Sequence, residues 1–286
     1  MIAKNNFIIS DTLNFSLSHY STNDSNGMES KKDAQRQLEE NVKRMADIQD
    51  KLYAQDKYGI LIIFQAMDTA GKDGAIKHVM SGLNPQGTRV HSFKVPSAEE
   101  LDHDYLWRAN KNLPERGQIG IFNRSYYEEV LVVKVHNLIK NQQLPKEFIN
   151  EGIWQQRYRQ IREYEQYLSE NGMVILKFFL HISKEEQRER LLARIDDKTK
   201  NWKFTQSDIK ERGFWDQYQQ AYSEAIAATS SEQAPWHVIP ADKKWFARLA
   251  ISEIIVNKLE SLNLAYPEVS EAQKLVLEDC RKALNV

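Results

Sequence analysis

The chain has 286 residues, 28% of them charged, and a formal net charge of -1. That balance argues against a dedicated nucleic-acid binder, and no apolar run approaches the roughly 18 residues that a membrane span requires. The one cysteine, Cys280, excludes an internal disulfide and fits a reducing compartment.

The start, Met1-Ile2-Ala3-Lys4-Asn5-Asn6, lacks the apolar core of a signal peptide, so a soluble cytoplasmic protein is expected. Residues 1–28 are rich in Ser, Asn, Thr and Asp and read as an extended, mobile arm. Leu38, Val42, Met45, Ile48 and Leu52 then follow helical spacing within 29–55. Ile60 to Phe64 is apolar on both faces, as a central parallel strand is. A short small-residue turn follows, and a helical segment runs from Gly74 to Met80. Thr88 to Val95 reads as a second strand. A helix is expected over Ala98 to Asn110, capped by Ser97 with Glu100 three residues on. Gln118 to Phe122 is a third strand, followed by a helical stretch through Val135. Trp154 to Glu170 is helical, Met173 to Ile182 a strongly apolar strand, and Ser183 with Glu186 caps an Arg-rich helix. A polar segment over 196–208 interrupts that helix. Phe214 to Thr229 is helical again, Trp236 to Pro240 a short strand, Lys243 to Leu262 a long helix, and Val269 to Leu284 a last one.

Strands alternating with helices, without hairpin signals, indicate an α/β fold with a parallel sheet and helices on both faces. One domain is expected over 29–265, with a helical lid over about 194–213 and a C-terminal helical tail over 266–286. The apolar faces of the first and last long helices serve either a self-association surface or core packing, and a homo-oligomer, dimer or tetramer, is expected.

Chemistry concentrates after the first strand, in Gln65-Ala66-Met67-Asp68-Thr69-Ala70-Gly71-Lys72-Asp73-Gly74. This is the layout of a P-loop: the backbone of Ala70, Gly71, Asp73 and Gly74 at a helix N-terminus holds anionic oxygens, and Lys72 adds a point charge. The match departs from the usual pattern. Ala66 stands where the first Gly is expected, and Asp73 where a magnesium-binding Ser or Thr is expected. Asp68 is therefore the candidate metal ligand, or an Asx-type turn residue.

Asn123-Arg124-Ser125 follows the third strand, at the carboxyl edge where such sheets bind ligands. Asn123 can orient a phosphate oxygen or water, and Arg124 can clamp a phosphate or pair with Glu128. Lys94 ends the second strand on the same edge. In the lid, Arg194, Lys198, Lys200 and Lys203 can gather around phosphates on closure, with Trp202 and Phe204 arguing against a merely solvated loop. No zinc-ligand cluster, Gly-x-Ser-x-Gly or Gly-x-Gly-x-x-Gly is present.

Together these residues resemble the family-2 polyphosphate kinases. The likeness rests on 65–74, on Gly82-Leu83-Asn84-Pro85-Gln86-Gly87, on Ser92-Phe93-Lys94-Val95-Pro96 and on His103-Asp104-Tyr105-Leu106-Trp107-Arg108. It continues in Phe122-Asn123-Arg124-Ser125-Tyr126-Tyr127-Glu128 and Asn201-Trp202-Lys203-Phe204, so that it covers roughly 30–265. It implies a P-loop kinase fold related to thymidylate kinase, with a lid. It also implies reversible magnesium-dependent phosphoryl transfer between inorganic polyphosphate and adenine or other nucleotides, with manganese as a substitute metal. Many family sequences carry Asp-Arg-Ser where this chain has Asn123-Arg124-Ser125. The Asn form followed by Tyr-Tyr-Glu resembles the group that accepts both AMP and ADP. With no charge at 123, the metal role shifts to Asp68, and Glu128 would help through the nucleotide phosphates or a second metal. Two other readings stay open: an ATP-dependent kinase of a nucleotide or small metabolite, and a non-catalytic nucleotide- or polyphosphate-binding module.

Overall fold

Strands β1 (Gly59–Ala66), β2 (Thr88–Ser92), β3 (Ile119–Asn123), β4 (Met173–His181) and β5 (Trp236–Pro240) form one parallel sheet in the order β2-β3-β1-β4-β5. The computed structural model describes residues 7–10 and 12–285, without the side chain of Lys203. β1 lies at the centre and is buried over its whole length, as the unbroken apolar run requires. Register pairs Ile62 with Ile121 on one side and Leu176 on the other. The carboxyl ends of all five strands therefore open on one edge, and the chain reverses direction across the sheet on either side of β1, the place where such sheets bind ligands.

The helices are α1 (Lys31–Gln55), α2 (Lys72–Val79), α3 (Ala98–Leu101), α4 (Trp107–Asn110), α5 (Val132–Val135), α6 (Ile153–Glu170), α7 (Lys184–Asp196), α8 (Gln206–Gly213), α9 (Trp215–Thr229), α10 (Lys244–Glu260) and α11 (Glu271–Leu284). α1, α2 and α10 pack together on one face, and α6 and α9 on the other. Leu38, Met45 and Leu52 of α1 are buried, the stripe that the spacing predicts. One core cluster joins both layers. Among the described residues, no helix is long and apolar enough to cross a membrane.

Two expectations need correction. The helix over 98–110 is two short helices, because Asp104 accepts the Leu106 N–H and starts a new turn. The capping box of Ser97 and Glu100 is present at the first of them. The stretch after β3 begins as a 3-10 turn over Tyr126–Val130 before α5. Some of the described residues before α1 contact the body of the domain. Phe7, Ile9 and Leu17 are buried, Ile9 N–H donates to Trp236 O, and Ile8 bridges His237 in antiparallel sense along the β5 edge. Apolar residues spaced through a polar segment are enough to dock it.

Lys177 interrupts the apolar β4 run and is fully buried. Its ammonium meets the Glu165 carboxylate of α6 at 2.5 Å and donates to Tyr127 Oη and Thr229 O. Tyr126 and Tyr127 both donate to the same carboxylate. A buried pair tolerates loss of one partner poorly, since the other is left as an uncompensated charge worth about 3–5 kcal/mol. Here the pair also pins the turn that follows Arg124.

Candidate active site

The loop between β1 and α2 is held in shape from outside. Gly71, the N-cap of α2, has φ +103, which a side chain opposes, and Thr69 also has positive φ (63°). Gln187 and Arg190 of α7 reach the loop: Gln187 Nε2 donates to Asp68 O at 3.1 Å, and Arg190 Nη1 to Thr69 O and Ala70 O at 3.1 and 2.8 Å. A trans peptide sends its N–H opposite to its C=O. The N–H groups of Thr69 and Gly71 consequently point away from those side chains. Lys72 opens α2, and its Nζ donates to Ala66 O at 3.1 Å across the loop.

β3 supplies the facing groups. Gln65 Nε2 donates to Ser125 Oγ at 3.1 Å, tying the ends of β1 and β3. Arg124 takes a left-handed backbone, φ 62°, and its N–H donates to Phe64 O. That turn aims the guanidinium back over the loop, where Nη2 lies 3.3 Å from Asp68 Oδ1 and Nη1 3.7 Å from Glu128 Oε2. Asn123 Nδ2 donates to Asp73 Oδ1 at 2.8 Å.

Two cavities meet at the loop. One, of about 570 Å³, is bounded by Asp68, Lys72, Asp73, Lys94, Asn123 and Arg124. The other, of about 290 Å³, lies between the loop, α7 and α10 and gathers Arg190, Arg194, Lys200, Lys244 and Arg248. Thr69, Ala70, Gly71 and Arg194 line both. A Cβ on Gly74 would stand 3.4 Å from Arg248 Nη2, which places the Arg248 guanidinium beside the first turn of α2.

The charges are arranged for anions. Burial, and then the Arg124 cation, push the Lys72 ammonium below its usual range, against the pull of Asp68. Lys244 is lowered by burial and by its neighbour Arg190. Burial pushes the Glu128 carboxyl up, while Arg124 and Lys72 pull it down. For Arg124, desolvation is outweighed by Glu128 and Asp68, and its guanidinium is raised. Cations that depress one another gain most from a polyanion placed between them.

The structure thus brings Asp68, Ala70, Gly71, Lys72, Asp73, Lys94, Asn123, Arg124 and Arg194 to one cavity, with Gly74 on the neighbouring one and Glu128 paired behind Arg124. Lys198 lines neither cavity, and Lys200 takes that place. The side chain of Lys203 lies outside the described residues. Trp202 is 73% exposed, and its indole N–H donates to Thr199 O at 3.0 Å within the same segment. Docking of this segment is polar. Arg194 meets Asp208 at 3.5 Å, Arg212 donates to Lys184 O and Gln187 Oε1, and Glu211 accepts from Tyr218 Oη beside His136.

Sequence reasoning missed Gln187, Arg190, Lys244 and Arg248. The signal for the last two is their i, i+4 spacing at the first turns of a helix leaving the same sheet edge. Arg108 donates to Lys94 O at 2.8 Å and pairs with Glu100, supporting the end of the second strand.

No cluster of three acidic, His or Cys side chains that could hold a metal occurs among the described residues. Magnesium binds through one or two carboxylates together with substrate phosphates and retained water. The carboxylates of Asp68 and Asp73, both lining the larger cavity, fit that requirement.

The polyphosphate kinase 2 family model matches residues 28–266. The ADP-polyphosphate phosphotransferase of Rhodopseudomonas palustris is 52% identical over 90% of this chain and 89% of its own. The AMP/ADP-polyphosphate phosphotransferase of Meiothermus ruber is 49% identical over 82% and 85%. The crystal structure of polyphosphate kinase 2 from Arthrobacter aurescens TC1 superposes with a TM-score of 0.85 at 39% identity, covering 93% of this chain and 94% of that one. The fold is accordingly P-loop kinase-like.

Proposed function

The chain belongs to the polyphosphate kinase 2 family, and we propose that its two joined cavities divide the substrates, polyphosphate in the one against α10 and the nucleotide phosphate in the one against β3. It is a phosphotransferase that drives phosphorylation of AMP and ADP with polyphosphate. The observation that carries the division is the sharing of Thr69, Ala70, Gly71 and Arg194 by both cavities. A phosphoryl group passing between the two substrates has to cross that junction.

The donor side favours a phosphate chain over ATP. Its wall carries five cations and no aromatic ring among the residues that line it, so it offers charge along a polyanion and no slot for a base. Lys72 and the loop N–H groups grip the terminal phosphates. Arg124 and Arg194 face the transferring group from its two sides and stabilise its charge. Magnesium, bound beside Asp68, would neutralise phosphate charge there. The acceptor phosphate oxygen is already anionic near neutral pH, so in-line transfer needs no strong general base and no covalent enzyme intermediate. Positioning and neutralisation supply most of the rate. The lid segment after α7 closes over this junction, and the protein works in the cytoplasm as a homo-oligomer.

Arg248→Ala tests the division. It removes a donor-side cation remote from the acceptor cavity. The KM for polyphosphate is expected to rise by about tenfold while the KM for AMP is unchanged, and the rise shrinks at high salt. A change in the AMP value alone would reverse the assignment of the cavities.

A further inference from the structure

We infer that the segment before α1 is a brace for the phosphate-binding loop, acting from Thr22 through Asp242 and Arg190. The family model begins its match at residue 28, so this segment precedes the matched span. Arg190 lines the basic cavity yet is not free to bind phosphate. A guanidinium has five N–H donors. Nε donates to Glu186, both Nη1 donors go to Thr69 O and Ala70 O, and both Nη2 donors go to Ala241 O and Asp242 O. Arg190 is thus a positioning residue that ties the P-loop to the turn between β5 and α10.

That turn is in turn fixed by the segment before α1. Thr22 Oγ1 donates to Asp242 Oδ2 at 2.6 Å, and Asp242 N–H donates back to Thr22 O at 3.0 Å. The second carboxylate oxygen, Oδ1, accepts Ser183 N–H at the start of α7, the helix that carries Arg190. Lys243 Nζ donates to Ser25 Oγ on the same side. Upstream the segment is secured by buried Leu17 and by the bonds of Phe7 and Ile9 to β5. One carboxylate therefore joins three pieces: the segment before α1, the N-terminus of α7, and the turn that Arg190 grips. The loop, strained at the β-branched Thr69 with its positive φ, depends on such outside support.

The activity readout rests on the polyphosphate reading above, and the exchange readout does not. Thr22→Val keeps the shape and removes the hydroxyl; Thr22→Ser retains it. In Thr22→Val, hydrogen–deuterium exchange over 67–74 is expected to speed up, and kcat/KM for polyphosphate to fall about fivefold to tenfold with the KM for AMP unchanged. Thr22→Ser restores both. Asp242→Asn, which weakens the same link from the other side, is expected to act in the same direction. Exchange altered only within 7–25 and the 240–243 turn would overturn the brace, as would faster loop exchange with wild-type kcat/KM. If loop exchange speeds up but polyphosphate supports no transfer even in the wild type, the structural brace stands and the substrate reading falls.

Discussion

Lys72→Ala is expected to lower kcat/KM for polyphosphate by about two to three orders of magnitude, the loss typical of removing one preorganised charge from a developing transition state. The folded state should be no less stable. Lys72 is half-buried with Arg124 nearby, and desolvation and that cation push its ammonium toward the neutral form against the pull of Asp68, Glu128 and Asp73. Among the described residues its ammonium donates to Ala66 O. A charge kept in that setting costs stability and repays it only when phosphate arrives. Deleting it should therefore leave the melting temperature equal or raised while activity collapses. Matched thermal melts and initial rates decide this. Turnover near that of the wild type would remove Lys72 from the chemistry, and a parallel loss of stability would make it a structural residue.

Arg124→Ala is expected to cost about two to three orders of magnitude in kcat with a smaller change in the KM for polyphosphate, because the guanidinium acts on charge that develops during transfer. Arg124→Lys should recover only part of the loss. A lysine keeps the charge but not the planar two-pronged donor set that reaches Asp68 and Glu128 together. The left-handed backbone at Arg124 adds a second expectation: the fault lies in aim as well as charge, so free guanidinium should rescue Arg124→Ala weakly. A kcat close to wild type in either variant would show that the pair with Asp68 is only a surface ion pair.

The motifs made much of this readable in advance. Gly71-Lys72 at the end of an apolar run placed the P-loop, and Asn123-Arg124-Ser125 placed the facing strand end, because each sits where a strand pattern breaks into a turn. β5 matches its expected bounds, and α6 and α10 come within two residues of theirs. What stayed hidden was long-range. Arg190 and Gln187 lie on an Arg-rich helix whose spacing does not say which arginine turns inward, and the four carbonyls that Arg190 holds are more than fifty residues away. Lys177 is one charge in an apolar strand, and its partner Glu165 is visible only once α6 packs on the sheet. The segment before α1 reads as polar by composition, yet three spaced apolar residues, Phe7, Ile9 and Leu17, dock it. Lys198 and Trp202 sit exposed on the segment after α7, and their residue types alone do not say where they lie relative to the cavities.

The most direct measurement mixes the full-length protein with magnesium, inorganic polyphosphate and AMP, and follows nucleotides over time. ADP should appear first and ATP after it, with ADP alone also yielding ATP, and with each product requiring polyphosphate. No product from either AMP or ADP, or transfer that proceeds only with ATP as donor, would contradict the assignment of the basic cavity to a polyphosphate chain.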